Sequence, residues 1–281
     1  VVSKLCLWKD HTKQTPAIVA ILKKYPNTAI ALIIEPDSLP NLVTNANLQT
    51  CKDSAAGYRE GVAYALKQLN LPNIAMYIDA GHGGWLGWND NLSTSLSYTL
   101  VTSRLTITTE PGAKELATVY KNAGSPKQVR GISTNVAGWN AWDLSPGEFS
   151  KSTDAQWNKA QNEKKFIELF SPELKSAGMP SQAIIDTARN GVTGLRLEWG
   201  DWCNVNGAGF GVRPTSTTGS SLVDSFVWVK PGGESDGTSD TSATRYDSFC
   251  GKEDAFKPSP EAGAWNQAYF EMLVKNANPA L

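Results

Sequence analysis

Acidic, basic and aromatic residues recur in this chain directly after short apolar runs. Six segments share the layout: 31–37 (ALIIEPD), 74–88 (IAMYIDAGHGGWLGW), 129–135 (VRGISTN), 183–189 (AIIDTAR), 195–202 (LRLEWGDW) and 226–236 (FVWVKPGGESD). Most of these apolar runs read as parallel strands buried on both faces. Residues just past the C-terminal ends of such strands gather at one mouth, where α/β folds place their chemistry. That mouth would collect Asp37, Asp79, His82, Asn135, Asp201, Lys230, Glu234 and Asp236, with Trp85, Trp88 and Trp202 among them. Acids set among tryptophans suit cleavage of a glycosidic bond. One protonated carboxyl protonates the leaving oxygen, and a second carboxylate attacks the sugar or activates water. Indole faces on loops suit the apolar faces of sugar rings.

Asp37 is the best candidate acid. It follows Ile33-Ile34 and Pro36, so it sits at a strand exit in a rigid turn beside Glu35. A neighbouring carboxylate and an apolar wall would both raise its proton affinity, as an acid working near neutrality requires. The competing reading is that Asp37 only caps the following turn. Asp236 lies in PGGESDGTSD, where glycines allow Lys230, Glu234 and Asp236 to gather around a ligand. Asp-Gly is also a common signal for a solvated turn. Asp79 and His82 occur in DAGHGGWLGW, which is neither GxGxxG nor followed by GK[ST], so a phosphate loop is not indicated. His82 is either structural or a ligand contact, and no GxSxG supports a serine triad.

Composition narrows the class. A chain of 281 residues with 41% hydrophobic and 19% charged residues can bury the core of one α/β domain. A net charge of −1 gives no electrostatic case for nucleic acid or an anionic membrane. No apolar run approaches the roughly 18–20 residues of a membrane span. No signal peptide is visible, so a mature or trimmed form is expected. The four cysteines form no CxxC pair and there are only two histidines, so neither metal nor cofactor is expected. Two loop-closing disulfides are expected instead. Sequence leaves three pairings open, with Cys6–Cys51 and Cys203–Cys250 preferred. That implies an oxidising, extracellular setting, with which a glycosylation sequon at Asn91-Leu92-Ser93 agrees.

The elements that must position these groups alternate as βα units. Strands are expected near 31–34, 74–78, 129–134, 183–186 and 224–229, with 1–5 a further candidate. Helices are expected at 17–24, 53–68, 114–122, 154–170 and 261–276. A closed parallel barrel needs about eight strands, so the chain reads as short at its front or as an open barrel. Residues 238–245 read as a tethered surface loop, leaving 1–281 as a single domain.

The segments IEPDSLPNLVTN, YIDAGHGGWLGW, GISTNVAGWNAW, WGDWCNVNGAGFGVRP, DSFVWVKPGGESDGTSD and AGAWNQAYFEMLV closely resemble glycoside hydrolase family 6. This family comprises cellobiohydrolases and endoglucanases of fungi and bacteria, and the likeness runs from about Thr28 to Leu281. It implies a distorted parallel (β/α) barrel, TIM-like, incomplete at its N-terminal strand. It also implies a secreted monomer that cleaves β-1,4-glucan in cellulose or cello-oligosaccharides with inversion and releases cellobiose. Carried over by motif, Asp37 is the general acid and Asp236 the proposed base, with Lys230 and Glu234 binding sugar beside it. Asp79 would position and tune the acid. His82, Trp85 and Trp88 would line the leaving-group side, and Asn135 and Trp202 would contact glucosyl units near the cleavage point. The two disulfides would close loops over the substrate, which favours a cellobiohydrolase tunnel over an endoglucanase cleft.

The departures are concentrated at the front. Family members carry an aspartate in a DRDC-like stretch, but the residues before Cys6 are VVSKL. The loop between Cys6 and Cys51 is short, and the family's first strand would precede Val1, so the chain reads as N-terminally truncated. Residues 188–191 read ARNG, Ser235 replaces a common cysteine, and 94–111 looks like an insertion. These features keep open a competing reading, a catalytically impaired β-glucan-binding protein.

Overall fold

A computed structural model describes residues 11–92 and 111–281. The strands lie close to where the apolar runs put them: β1 Ile30–Ile34, β2 Ile74–Asp79, β3 Val129–Thr134, β4 Gln182–Asp186 and β5 Val223–Val227. They form one five-stranded sheet in chain order, β1-β2-β3-β4-β5. β1 pairs parallel with β2 from Ile30 opposite Ile74 to Ile34 opposite Ile78. β2 pairs parallel with β3, with an irregularity between Met76 and Tyr77. The three central strands are buried almost throughout, whereas β1 and β5, at the sheet's ends, are partly open. Five strands among the described residues fall short of the eight of a closed barrel. The fold is α/β, as expected; the strand candidate at 1–5 and most of 94–111 lie outside the described residues.

The chain divides into two compact units. The first comprises Val1–Gly81, Trp85–Thr134 and Ile167–Ala183. Its core joins Ile74, Met76, Ile78, Val129 and Ile132 of the strands to buried side chains of the helices. These include Val62 and Leu66 of α3 (Gln49–Gln68), Leu116 and Val119 of α6 (Gly112–Asn122), and Phe170 and Leu174 of α7 (Glu163–Ser176). α1 (His11–Leu22) packs on α3. Gly131 of β3 is obligatory, because a Cβ there would stand 1.8 Å from the carbonyl oxygen of Gln182.

The second unit comprises His82–Gly84, Asn135–Phe166 and Ile184–Leu281. It is mostly loop, and its core is a cluster of Trp139, Val205, Ala208, Phe210, Tyr269 and Leu273. Tyr269 and Leu273 come from α8 (Gln267–Lys275). The Cys203–Cys250 disulfide is present, with Cα atoms 5.0 Å apart. Cys51 is likewise disulfide-bonded, but Cys6, its expected partner, lies outside the described residues.

Local chemistry explains where the elements depart from expectation. The helix expected over 154–170 starts at Glu163, because Asn162 Oδ1 accepts the Lys165 N–H and sets a cap there. Upstream, Ala155–Trp157 form only a 3₁₀ turn. α8 begins at Gln267 rather than 261, because Asn266 caps it through the Tyr269 N–H. α1 runs through Pro16, where the pattern placed a start. Residues 195–202 form no strand. The backbone N–H groups of Arg196, Leu197 and Glu198 are taken instead by the carboxylates of Glu148, Asp254 and Asp201.

Candidate active site

Each unit carries a carboxylate cluster beyond the strand ends. In the first unit, β1 gives way to Glu35-Pro36-Asp37 and then to α2 (Ser38–Thr44). Asp37 occupies the N-cap position with φ of 67°, yet its side chain makes no capping hydrogen bond. It is exposed, while Asp79 at the end of β2 is only 1% exposed. Asp79 Oδ2 accepts the N–H groups of Asp37 at 3.0 Å and Gly81 at 3.2 Å. Its Oδ1 accepts the Ser133 hydroxyl at 3.3 Å. Burial and then the nearby charge of Asp37 push the Asp79 carboxyl up to about 8, against the pull of those three hydrogen bonds. The carboxyl whose proton affinity the fold raises is therefore Asp79, whereas the Glu35 carboxylate is engaged by the Ser38 hydroxyl at 2.8 Å.

Trp85 packs over the same turn. Gly81 has φ of +63°, and a Cβ there would stand 2.9 Å from the indole, so the glycines of DAGHGGW serve close packing. The Trp85 indole N–H donates to Thr44 Oγ1 at 2.9 Å. Asn91, the sequon residue, donates its side-chain amide to the Trp85 carbonyl at 3.1 Å. Trp88 is half-buried at the start of the turn that leads into α5 (Asn89–Leu92).

In the second unit the loop after β5 brings Lys230, Glu234 and Asp236 together, as the PGGESD pattern predicts. Lys230 Nζ lies 2.8 Å from Glu234 Oε1 and 3.3 Å from Asp236 Oδ1. Asp236 Oδ2 meets Arg189 Nη1 at 2.8 Å and accepts the Asn204 N–H at 2.8 Å. Asn204 Oδ1 in turn accepts the Asp236 N–H at 2.8 Å. Arg189 is 1% exposed, donates its other terminal nitrogen to the Ala137 carbonyl, and lies 3.9 Å over the Trp139 ring. Asp236 is thus a carboxylate held between two cations and a backbone donor.

Asn135 is fully buried with φ of 57°. Its side-chain amide donates to the Asp186 and Asn140 carbonyls, and its Oδ1 accepts the Asn140 N–H. Asp186, at the end of β4, gathers the exits of three strands. Its carboxylate accepts N–H groups from Ala137, Ala188, Val229 and Lys230. Those bonds also explain why β5 ends at Val227 instead of 229. Trp202 is 41% exposed, with its ring 6.1 Å from that of Phe249. Asp201 is buried against Lys252.

His82 is half-buried against Asn140, whose Nδ2 lies 3.0 Å from its Nδ1. Burial and then the charge of Arg196 push the His82 ring down to about 3. Arg189, Asp186, Asn140 and Asn204 are supports that the sequence reading did not single out. Asp186 and Arg189 nevertheless stand in one of the six strand-end segments, 183–189. Among the described residues no cluster of histidine, cysteine and acidic side chains could hold a metal ion.

An α/β sheet with carboxylate clusters at its strand exits defines the general class. Within it, the chain belongs to the glycosyl hydrolases family 6, whose model matches residues 12–277. The 1,4-beta-D-glucan cellobiohydrolase CEL6C of Podospora anserina is 67% identical over 264 residues, covering 94% of this chain and 62% of that protein. Exoglucanase 3 of Agaricus bisporus is 52% identical over 274 residues, covering 98% of this chain and 57% of that protein. The chain thus spans about three fifths of these relatives. Among solved structures, a mutant cellobiohydrolase Cel6A from Humicola insolens in complex with methyl-tetrathio-alpha-D-cellopentoside matches with a TM-score of 0.86. That match is 47% identical and covers 96% of this chain and 69% of the other. The Cel6A catalytic core domain from Chaetomium thermophilum matches at 51% identity with a TM-score of 0.85, over 96% of this chain and 69% of the other.

Proposed function

We propose that this chain hydrolyses β-1,4-glucosidic bonds in cellulose or cello-oligosaccharides with inversion, releasing cellobiose as a cellobiohydrolase does. The observation that carries the reading is the Asp37–Asp79 pair. Two interacting carboxyls titrate as a pair, and this one retains a proton at neutral pH because Asp79 is buried with its carboxyl at about 8. The exposed member, Asp37, delivers a proton to the leaving oxygen. Asp236 is the proposed base toward the attacking water, with Lys230 and Glu234 holding sugar hydroxyls and Arg189 fixing the carboxylate. Trp85, Trp88 and His82 receive the leaving-group side, and Trp202 carries a glucosyl unit near the cleavage point. Asn135 acts there through the loop it holds. The expected setting is extracellular, as a secreted monomer acting through a single domain. No helix among the described residues is long and apolar enough to cross a membrane.

Incubation with soluble cello-oligosaccharides tests the reading. Cellobiose should appear, its first-formed anomer should be α by proton NMR, and Asp37→Asn should cut the release to a small background. The absence of an acid in VVSKL favours the second reading, an impaired β-glucan-binding protein. That reading predicts cello-oligosaccharide binding with release no greater than the Asp37→Asn background.

A further inference from the structure

Asn140 has every polar group engaged. Its N–H donates to Asn135 Oδ1 at 3.1 Å, and its carbonyl accepts the side-chain amides of Asn135 at 3.3 Å and Asn190 at 3.0 Å. Its side-chain oxygen accepts Arg196 Nη2 at 2.6 Å. Its side-chain nitrogen donates to Glu163 Oε1 at 2.7 Å and faces His82 Nδ1 at 3.0 Å. The charged partners fix which way this amide points. A flipped amide would set its NH₂ against the guanidinium and its oxygen against the Glu163 carboxylate, losing both hydrogen bonds. Both partners are themselves anchored. Arg196 pairs with Glu148 at 2.7 Å, and Glu163, fully buried, accepts the Gly83 N–H at 2.9 Å.

An NH₂ group has two hydrogens and no acceptor capacity. One hydrogen goes to Glu163, so the other is directed at His82 Nδ1, which must present a lone pair. An imidazolium, or a ring protonated at Nδ1, would place two donors against each other. We infer that Asn140, oriented by Arg196 and Glu163, is a positioning residue that holds His82 as the neutral ring protonated at Nε2, so that sugar meets a hydrogen-bond donor at that nitrogen and not a base. The tautomer follows from the hydrogen-bond pattern alone, whereas the encounter with sugar rests on the function proposed above. The low proton affinity of the ring agrees with it. Asn140 lies within the motif GISTNVAGWNAW, but nothing in that motif shows its role, which arises from chain segments that meet only on folding.

The chain has two histidines, so ¹⁵N-histidine NMR of the intact protein reads the ring directly, with His11→Gln assigning the signals. The expected spectrum shows His82 neutral and protonated at Nε2 across about pH 5 to 8, the window in which an ordinary histidine titrates. A ring protonated at Nδ1, a mixture of tautomers, or titration within that window would overturn the assignment. Asn140→Leu removes the facing donor without adding a charge beside Glu163 and should let the ring populate the Nδ1-protonated tautomer as well. Arg196→Met removes the neighbouring cation and should raise the pH at which His82 titrates. A folded Asn140→Leu protein whose ring stays wholly protonated at Nε2 would also overturn the positioning role. Added cellobiose should shift the Nε2 signal, and an unmoved signal would remove the donor role. These readings need no turnover. A correct tautomer with no release of cellobiose would leave the inference standing and defeat the hydrolase reading.

Discussion

The two carboxylate clusters are built on opposite electrostatic plans. Asp79 is buried beside another carboxylate, and its donors among the described residues are neutral, the N–H groups of Asp37 and Gly81 and the Ser133 hydroxyl. Asp236 is reached by two cations, Arg189 and Lys230. The first arrangement raises the cost of a second negative charge and so retains a proton. The second compensates a negative charge on the spot. One residue type thus serves two tasks, separated by what surrounds it and not by its sequence motif.

That contrast is broken most directly by replacing one acid at a time and varying the leaving group. Asp37→Asn should slow hydrolysis of cello-oligosaccharides by about 10²- to 10⁴-fold, the usual weight of a general acid. The deficit should shrink sharply on an aryl cellobioside whose phenolate leaves without protonation. Asp236→Asn should be equally deficient on both substrates. Steady-state rates on the two substrates decide it, and equal losses for Asp37→Asn would end its assignment as the acid.

Next in size is the support beneath Asp236. Arg189→Met removes a buried guanidinium that pairs with Asp236 and covers the Trp139 ring, and it leaves the carboxylate with the Lys230 ammonium and the Asn204 N–H. Breaking a buried pair in this way costs about 3–5 kcal/mol, read as a lowered midpoint in denaturant unfolding. Arg189→Lys should recover only part, because an ammonium cannot span Asp236 and the Ala137 carbonyl as the planar fork does.

What the sequence displayed and what it hid follow the same division. Strands β2 and β4 were legible because burial on both faces demands apolar runs, and the acids at their ends were legible because strand ends are; β3, VRGIST, offers a weaker signal, interrupted by the exposed Arg130. Helix starts were less so. They turn on single capping side chains, Asn162 and Asn266, which look like any other asparagine before folding. The residues alone set Asp37 against Glu35, its neighbour along the chain, and only the family resemblance pointed to Asp79, 42 residues away, which accepts its N–H. Arg189, Asn140 and Asn204 were hidden for that reason: their partners come from remote segments, and no local period encodes such a pairing.

The first cluster makes a pH prediction of smaller size. Asp79 keeps its proton in the folded chain up to about 8, whereas the unfolded chain releases it near its ordinary value of 3.8. Between those values the native state binds more protons than the unfolded state, so stability falls as pH rises. Asp79→Asn should flatten this slope. Near pH 4 the variant should match the parent, and toward neutrality it should be more stable by on the order of a few kcal/mol. A parent that grows more stable over this range, with a variant that follows it, would contradict the buried protonated pair.

The finest test concerns one hydroxyl. Ser133 donates to Asp79 Oδ1 at 3.3 Å and opposes the upward push of burial on that carboxyl. Ser133→Ala removes the donor, so the Asp79 carboxyl should rise further and the alkaline limb of the activity profile should move to higher pH. A hydrogen bond of this kind contributes about 0.5–1.5 kcal/mol, which corresponds to a displacement of roughly one pH unit or less. The direction discriminates more than the size. If Asp79 acted as an ionised base, losing a donor would impair it and the active limb would rise from a higher pH on the acid side. If the pair serves as the proton reserve, the change widens the profile on the alkaline side alone.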